Sequence, residues 1–111
     1  MSTINKPFGA ADTLTLAATG TTAATITNAV TYVSTLPTLT GNATLDLTLS
    51  SELKAGAQLF IKVKTTAVET FTFGTGIDAP VVTGVAGKTW TQGFWYDGTI
   101  FLPMGAKIQI D

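Results

Sequence analysis

The sequence contains no cysteine, no histidine and no arginine, and only 12% of its 111 residues are charged. Without cysteine the chain can form no disulfide and offers no thiolate nucleophile. Without cysteine and histidine it also lacks the ligands of the common zinc sites. We therefore expect no metal site, no cofactor and no disulfide framework.

Positive charge comes from six lysines alone, and the net charge is −1. Nucleic-acid binding draws most of its affinity from clustered Lys and Arg, and membrane surfaces attract polybasic patches, so we expect neither partner. No apolar run approaches the roughly 20 residues that a membrane-spanning helix needs. Residues 1–12 have no hydrophobic segment after Lys6, so we expect no secretory signal and synthesis in the cytoplasm.

The length fits one domain, and a chain of this size buries about two-thirds of the surface that it exposes when unfolded. Pro7 and Gly9 interrupt any regular element near the start. We predict an extended N-terminal arm over residues 1–11 and one β-domain over residues 12–111.

Apolar and polar residues alternate along most of the chain, which is the period of a half-buried strand. The clearest case is Leu45, Leu47 and Leu49 against Asp46 and Thr48. Strands are predicted at 12–18, 21–27, 30–36, 43–49, 59–64, 70–73, 94–96, 99–102 and 106–110, with a short edge strand near 81–82.

Two hairpins are predicted from the connections. Residues 65–69 are short enough to join 59–64 directly to 70–73. Asp97-Gly98 suits a type I′ turn between 94–96 and 99–102. Roughly eight to ten short strands with regular turn signals predict an all-β, single-domain antiparallel β-sandwich or a jelly-roll-like barrel.

Roughly one residue in five is threonine, which favours strands and gives a weakly charged surface. Soluble monomers usually keep apart through surface charge. This composition suits a subunit whose faces lie against neighbours, and a Thr-rich monomeric sandwich is the plainer alternative.

No catalytic constellation stands out. A glycosidase needs two carboxylates about 5 to 10 Å apart across a cleft, and nothing in the spacing of the seven acids selects a pair. Residues 74–79 superficially match a dinucleotide fingerprint, but Pro80 follows where a helix would have to begin. We therefore expect a protein that is not an enzyme.

The aromatic cluster near the C-terminus has two parities. Trp90, Phe94 and Tyr96 share one side of a strand, and Trp95 takes the other. We predict that the first set lies in the core and that Trp95 lies on the outer face or in a subunit contact. A sugar-stacking platform is the less favoured alternative.

The C-terminal three-fifths resembles a module of tailed-phage fibre and virion surface proteins. The matching pieces, in order, are Gly41-Asn42-Ala43-Thr44-Leu45, Ala55-Gly56, Thr72-Phe73-Gly74, Pro80, Gly87-Lys88 and Phe94-Trp95-Tyr96-Asp97-Gly98-Thr99. The resemblance implies a β-sandwich on a virion, often trimeric. Because this chain is one module with a short arm, a capsid decoration protein or short head fibre fits better than a tail fibre.

The resemblance and the composition together predict a phage structural protein on the capsid exterior, made in the host cytoplasm. It would bind the major capsid protein or other virion proteins and form a homo-oligomer, with a trimer favoured. Ile4, Lys6, Pro7 and Phe8 are the candidate arm contacts with capsid or subunit. The alternative is a receptor- or glycan-binding module of a tail fibre, in which Trp95, Trp90 or Tyr96 stacks on sugar. A bacterial surface module is a third and weaker hypothesis, because it would need an export signal.

Overall fold

The computed structural model describes residues 11–33 and 36–110, and every regular element in that part is a strand. The strands follow the alternation of the sequence. Their bounds are β1 Ala11–Leu14, β2 Gly20–Ile26, β3 Val30–Val33, β4 Thr38–Leu39, β5 Ala43–Leu49, β6 Gln58–Thr65, β7 Thr70–Phe73, β8 Val82–Thr83, β9 Thr89–Tyr96, β10 Phe101–Pro103 and β11 Ile108–Gln109.

The strands form two sheets. The large sheet has the order β1-β3-β6-β9-β10. Here β4 continues beside β6 past the end of β3, and β11 pairs with β9 below β10. The small sheet has the order β2-β5-β7-β8. The two-layer, all-β fold predicted from the sequence is confirmed.

The chain winds between the two layers as a coil. It alternates from the large sheet to the small one and back, so β1, β3 and β6 are parallel neighbours in one layer. In the other layer β2, β5 and β7 are parallel neighbours. The antiparallel pairing that we expected throughout is found only further on, where β8, β9, β10 and β11 join. The fold is therefore a sandwich of mixed strand direction.

The predicted hairpin between 59–64 and 70–73 is wrong. β6 pairs with β3, β4 and β9, whereas β7 pairs with β5 and β8 in the opposite layer. The connection crosses between the sheets, and Glu69 closes its turn: the Glu69 carboxylate accepts hydrogen bonds from the backbone N–H groups of Thr66 and Ala67. Both strands can then turn their apolar faces towards each other.

The predicted hairpin around Asp97-Gly98 exists, but its turn differs. Tyr96 pairs with Phe101, so the loop has four residues. Within this loop only Gly98 has a positive φ, at 104°. A type I′ turn needs a positive φ at both central residues and is therefore ruled out. Asp97 instead closes the loop with its Oδ1 atom, which accepts the N–H groups of Thr99 at 2.8 Å and Ile100 at 2.9 Å.

One apolar core fills the space between the sheets. From the large sheet, Leu59, Ile61 and Val63 point inwards on β6. Aromatic rings connect the layers: Phe71 meets Trp90 edge-on at 5.6 Å between centroids, and Phe73 meets Phe94 at 5.0 Å. Such pairs contribute beyond their buried area. The outer face of each sheet lies on the side away from this core.

Candidate interface on the outer face of the large sheet

Large apolar side chains cover the solvent side of the large sheet as well as its core side. On β6, Phe60 lies opposite in parity to Leu59 and Ile61 and is 40% exposed. The same alternation exposes Tyr32 on β3 and Trp95 on β9. Met104 and Ile108, from the chain after β10, lie on this side too and are exposed. We call Tyr32, Phe60, Trp95, Met104 and Ile108 the aromatic face.

The strand register brings these side chains together. Tyr32 pairs with Phe60 across β3 and β6, and Phe60 pairs with Gly93 across β6 and β9. The Met104 N–H donates to the carbonyl of Gly93 at 2.9 Å, which places Met104 next in the same row. Tyr32, Phe60 and Met104 are therefore neighbours in space although they are far apart in sequence.

Gly93 opens a groove in the middle of this row. A Cβ atom at Gly93 would lie 3.4 Å from the Phe60 ring and 3.3 Å from Met104 Sδ, so a larger residue would crowd both. The groove has a volume of about 530 Å³. Its main side-chain walls are Tyr32, Phe60, Lys62, Thr91, Met104 and Ile108. A groove of this kind accepts an apolar projection from a partner.

Trp95 extends the aromatic face beyond the groove. It pairs with Gln58 on β6 and with Leu102 on β10, one row away from Phe60. At 42% exposure its ring is partly supported by the sheet and partly open to a partner. Contiguous apolar surface of this kind marks an interaction site more often than scattered single residues do.

The charge on this face has one sign. Lys62 pairs with Thr91 and Lys64 pairs with Thr89, and the parity of β6 directs both lysines outwards with Phe60. Among the described strands of the large sheet, no acidic residue shares that parity. The face therefore combines aromatic rings with ammonium groups and suits a surface that offers apolar groups and carboxylates.

The outer face of the small sheet is chemically different. Its strands present small polar side chains in register, without a large apolar residue. The outward residues are Thr21, Ala23, Thr25, Thr44, Asp46, Thr48, Thr70, Thr72 and Thr83. The threonine-rich surface expected from composition thus belongs largely to this layer.

The structure separates the four aromatic residues that the sequence singled out. Trp90, Phe94 and Tyr96 are buried between the sheets, and Trp95 alone lies outside. The arm contacts Ile4, Lys6, Pro7 and Phe8 lie outside the described residues. The sequence alone does not single out Tyr32, Phe60 and Met104 as interface residues. One pattern in the sequence does point to Phe60: it alternates in step with Lys62, so both side chains lie on the solvent side of the same strand.

The acidic residues hold loops and strand ends. Hydrogen bonds from the Ala67 backbone, and then from Thr66, lower the pKa of Glu69 against the opposing effect of burial. The N–H groups of Ile100 and Thr99 lower the pKa of Asp97 in the same way. Asp46 Oδ1 accepts the Thr75 N–H at 3.0 Å. These carboxylates lie at separate places in the sandwich, because Asp46 is on β5 and Glu69 and Asp97 are in two different loops.

Within residues 11–33 and 36–110, no group of three or more acidic, histidine or cysteine side chains is arranged to bind a metal. The same part of the chain has no helix long and apolar enough to cross a membrane. Comparison of the chain with protein-family models, with curated proteins and with solved structures finds no match.

Proposed function

We propose that this chain is a bacteriophage virion structural protein, a capsid decoration or auxiliary protein that binds the outer capsid surface and stabilises it through protein–protein contacts. The observation that carries the proposal is the aromatic face, where Tyr32, Phe60 and Trp95 stay exposed in one contiguous area. The phage assignment itself comes from the resemblance of residues 39–66 and 71–102 to virion surface modules.

The mechanism is burial of surface without chemistry. A specific interface covers about 800 Å² on each partner, and its binding energy is concentrated in a few central side chains, often Trp and Tyr. Trp95 and the row of Tyr32, Phe60 and Met104 would supply that centre. Repetition over many equivalent capsid positions would stabilise the shell, because a ligand that binds only the assembled state shifts the equilibrium towards it.

The positive charge of the aromatic face limits which partner surfaces can bind to it. Lys62 and Lys64 flank the aromatic residues without a neighbouring acid on the same strands. The contact surface on the major capsid protein would then carry carboxylates around an apolar projection. Such pairs at the rim mainly accelerate association and make it sensitive to salt.

The test uses heads purified from the phage that encodes the chain, freed of the endogenous copy, and co-sedimentation of added protein. Phe60→Ser combined with Trp95→Ser should weaken binding at least tenfold, because it removes two central apolar contacts. Val85→Ser is the control, because Val85 is an exposed apolar residue in the connection between β8 and β9 and does not line the groove. Equal binding of the double variant and the parent would contradict the proposal.

The same co-sedimentation assay tests the N-terminal arm with a separate variant. A variant lacking residues 1–10 keeps Ala11, which pairs with Val30 in β1. If Ile4, Lys6, Pro7 and Phe8 contact the capsid or a neighbouring subunit, the truncated chain should bind more weakly. Undiminished binding would remove the arm from the proposal and leave the aromatic face as the contact.

A second candidate function is a receptor- or glycan-binding module of a phage tail fibre. It is favoured by the exposure of Tyr32, Phe60 and Trp95, since aromatic side chains offer apolar surface on which a sugar ring can stack. Trp90 and Tyr96 are buried and unavailable for stacking, so Trp95 alone remains of the three residues first considered. Saturable binding on a glycan array that is lost in Trp95→Ala would favour this alternative over capsid decoration.

A further inference from the structure

The two sheets end in four edge strands, β1, β10, β2 and β8, and natural sheets usually protect their edges with charge, proline or short strands. The outer edge of β10 is partly covered, because Phe101 pairs with Ile77. β1 has four residues and includes Asp12. β10 ends at Pro103, and β8 has two residues and lies just after Pro80. β2 differs from all three because it runs for seven residues, GTTAATI, with no charge and no proline.

The backbone of β2 offers unused hydrogen-bonding groups along this edge. At the two ends of its ladder with β5, the Gly20 N–H donates to Asn42 and the Ser50 N–H donates to Ile26. The even-numbered residues therefore direct their backbone groups towards β5. The N–H and C=O groups of Thr21, Ala23 and Thr25 point the other way. They have no partner within residues 11–33 and 36–110.

We propose that the free edge of β2 pairs with β2 of a second copy of this chain, antiparallel and centred on Ala23. The pairing joins two small sheets into one continuous sheet across a two-fold axis. Each copy then donates and accepts through Thr21, Ala23 and Thr25, which satisfies the edge of both subunits at once.

In this register the residues that lie opposite each other on the two copies of β2 are compatible. Around Ala23, Thr21 lies opposite the partner's Thr25, and Ala23 lies opposite the partner's Ala23. Threonine pairs across antiparallel strands are favourable, and small side chains allow the backbones to approach without steric conflict. No charge stands on either strand to repel the other. A second copy therefore fits this edge better than a charged or bulky peptide.

The two-fold contact is independent of the proposed function. It lies at the edge of the small sheet, whereas the aromatic face lies on the outer side of the large one. It also predicts an even-numbered assembly, which differs from the trimer implied by the resemblance. Capsid binding and self-association can thus succeed or fail separately.

Sedimentation velocity of the full chain at increasing concentration measures whether it forms dimers. The parent should form dimers. Ala23→Lys should weaken them at least tenfold, because it places two like charges opposite each other on the axis. Thr83→Lys makes the same change on the exposed end of the other edge strand, β8, and should leave the dimer intact. A monomeric or trimeric parent, or a dimer that survives Ala23→Lys, would overturn the proposal.

Cross-linking tests the register. The chain has no cysteine, so a single introduced cysteine can bridge only two copies. Opposed Cα atoms in a hydrogen-bonded antiparallel pair lie about 5.5 Å apart, within disulfide range. Ala23→Cys should cross-link rapidly under mild oxidation, and Thr21→Cys should not, because Thr21 faces the partner's Thr25. Equal cross-linking of the two variants would reject the register. A parent that dimerises only after residues 1–10 are removed would show that this segment covers the edge instead.

Discussion

Single side chains hold the turns by which this chain passes between its two layers. Glu69 is the clearest example, because its carboxylate accepts three backbone contacts within 3.0 Å from Thr66 and Ala67 and one from the Thr66 hydroxyl at 3.2 Å. The alternation of neighbouring residues locates the strands on either side. It carries no information on whether the five residues between them reverse the chain within one sheet or cross to the other. In the structure the connection crosses, and the Glu69 carboxylate holds its turn closed.

Glu69→Gln should lower the melting temperature at neutral pH, because an amide accepts with one oxygen and carries no charge. The hydrogen bonds from Ala67 and Thr66 lower the folded-state pKa below the ordinary value of 4.5. Their stabilisation is present above pH 4.5 and is lost as the pH falls through the folded pKa. The melting temperatures of parent and variant should therefore converge in acid.

Thermal unfolding followed by circular dichroism from pH 7 to pH 3 measures this convergence. Glu52→Gln is the matched control, since Glu52 is exposed and its carboxylate has no hydrogen-bond partner in the described part of the chain. A difference between parent and Glu69→Gln that stayed constant over the whole range would show that the charge of Glu69 is not what holds the loop.

At the scale of elements, the alternation of apolar and polar residues locates most of the strands but does not show which strands pair with each other. The strands at 43–49 and 70–73 have the predicted bounds, because bulky residues alternate cleanly with Thr and Asp there. β4 was missed because a strand of two residues has no period to detect. Predicted segment 12–18 was too long, since β1 ends at Leu14 although Leu16 remains buried. Strand partners depend on contacts between distant segments, which a local pattern does not encode.

The two tryptophans of β9 give the prediction that belongs to this scale. Trp90 is 2% exposed and packs edge-on against Phe71 in the opposite sheet. Trp90→Ala should cost about 3–5 kcal/mol of unfolding free energy, as for other large buried aromatics. Trp95→Ala, on the other parity of the same strand, should cost less than about 1 kcal/mol, in line with changes at partly exposed positions.

Urea denaturation followed by circular dichroism measures both variants without relying on tryptophan emission. The pair controls for residue type and strand, so the difference reports the two faces of β9. Similar costs for the two variants would mean that the outer side of the large sheet is packed as tightly as the core. That result would leave no free aromatic face for a partner.

For the whole molecule, the all-β sandwich could be foreseen from composition and period, whereas the coil of parallel strands could not. The candidate interface was only partly foreseen. The alternation along β9 already predicts that Trp95 lies on the outer side. Tyr32, Phe60 and Met104, however, form one surface only because β3, β6 and β9 are adjacent and Gly93 leaves room between the side chains. Strand order is the missing information in each case.

The same strand order predicts slow folding. Ala11 pairs with Val30, Ala43 with Phe71, and Gln58 with Trp95, so the sheets close over long stretches of chain. Loop-closure entropy must be overcome before such contacts stabilise the structure, and all-β domains of this kind fold in about milliseconds to seconds. Among the described strands, the most local pairing is the β9–β10 hairpin, in which Tyr96 lies opposite Phe101. Stopped-flow refolding of Trp95→Phe isolates the emission of Trp90, which responds only when both sheets have met around it. If the whole emission change were lost in the mixing dead time, local turns, rather than assembly of the coil, would limit the reaction.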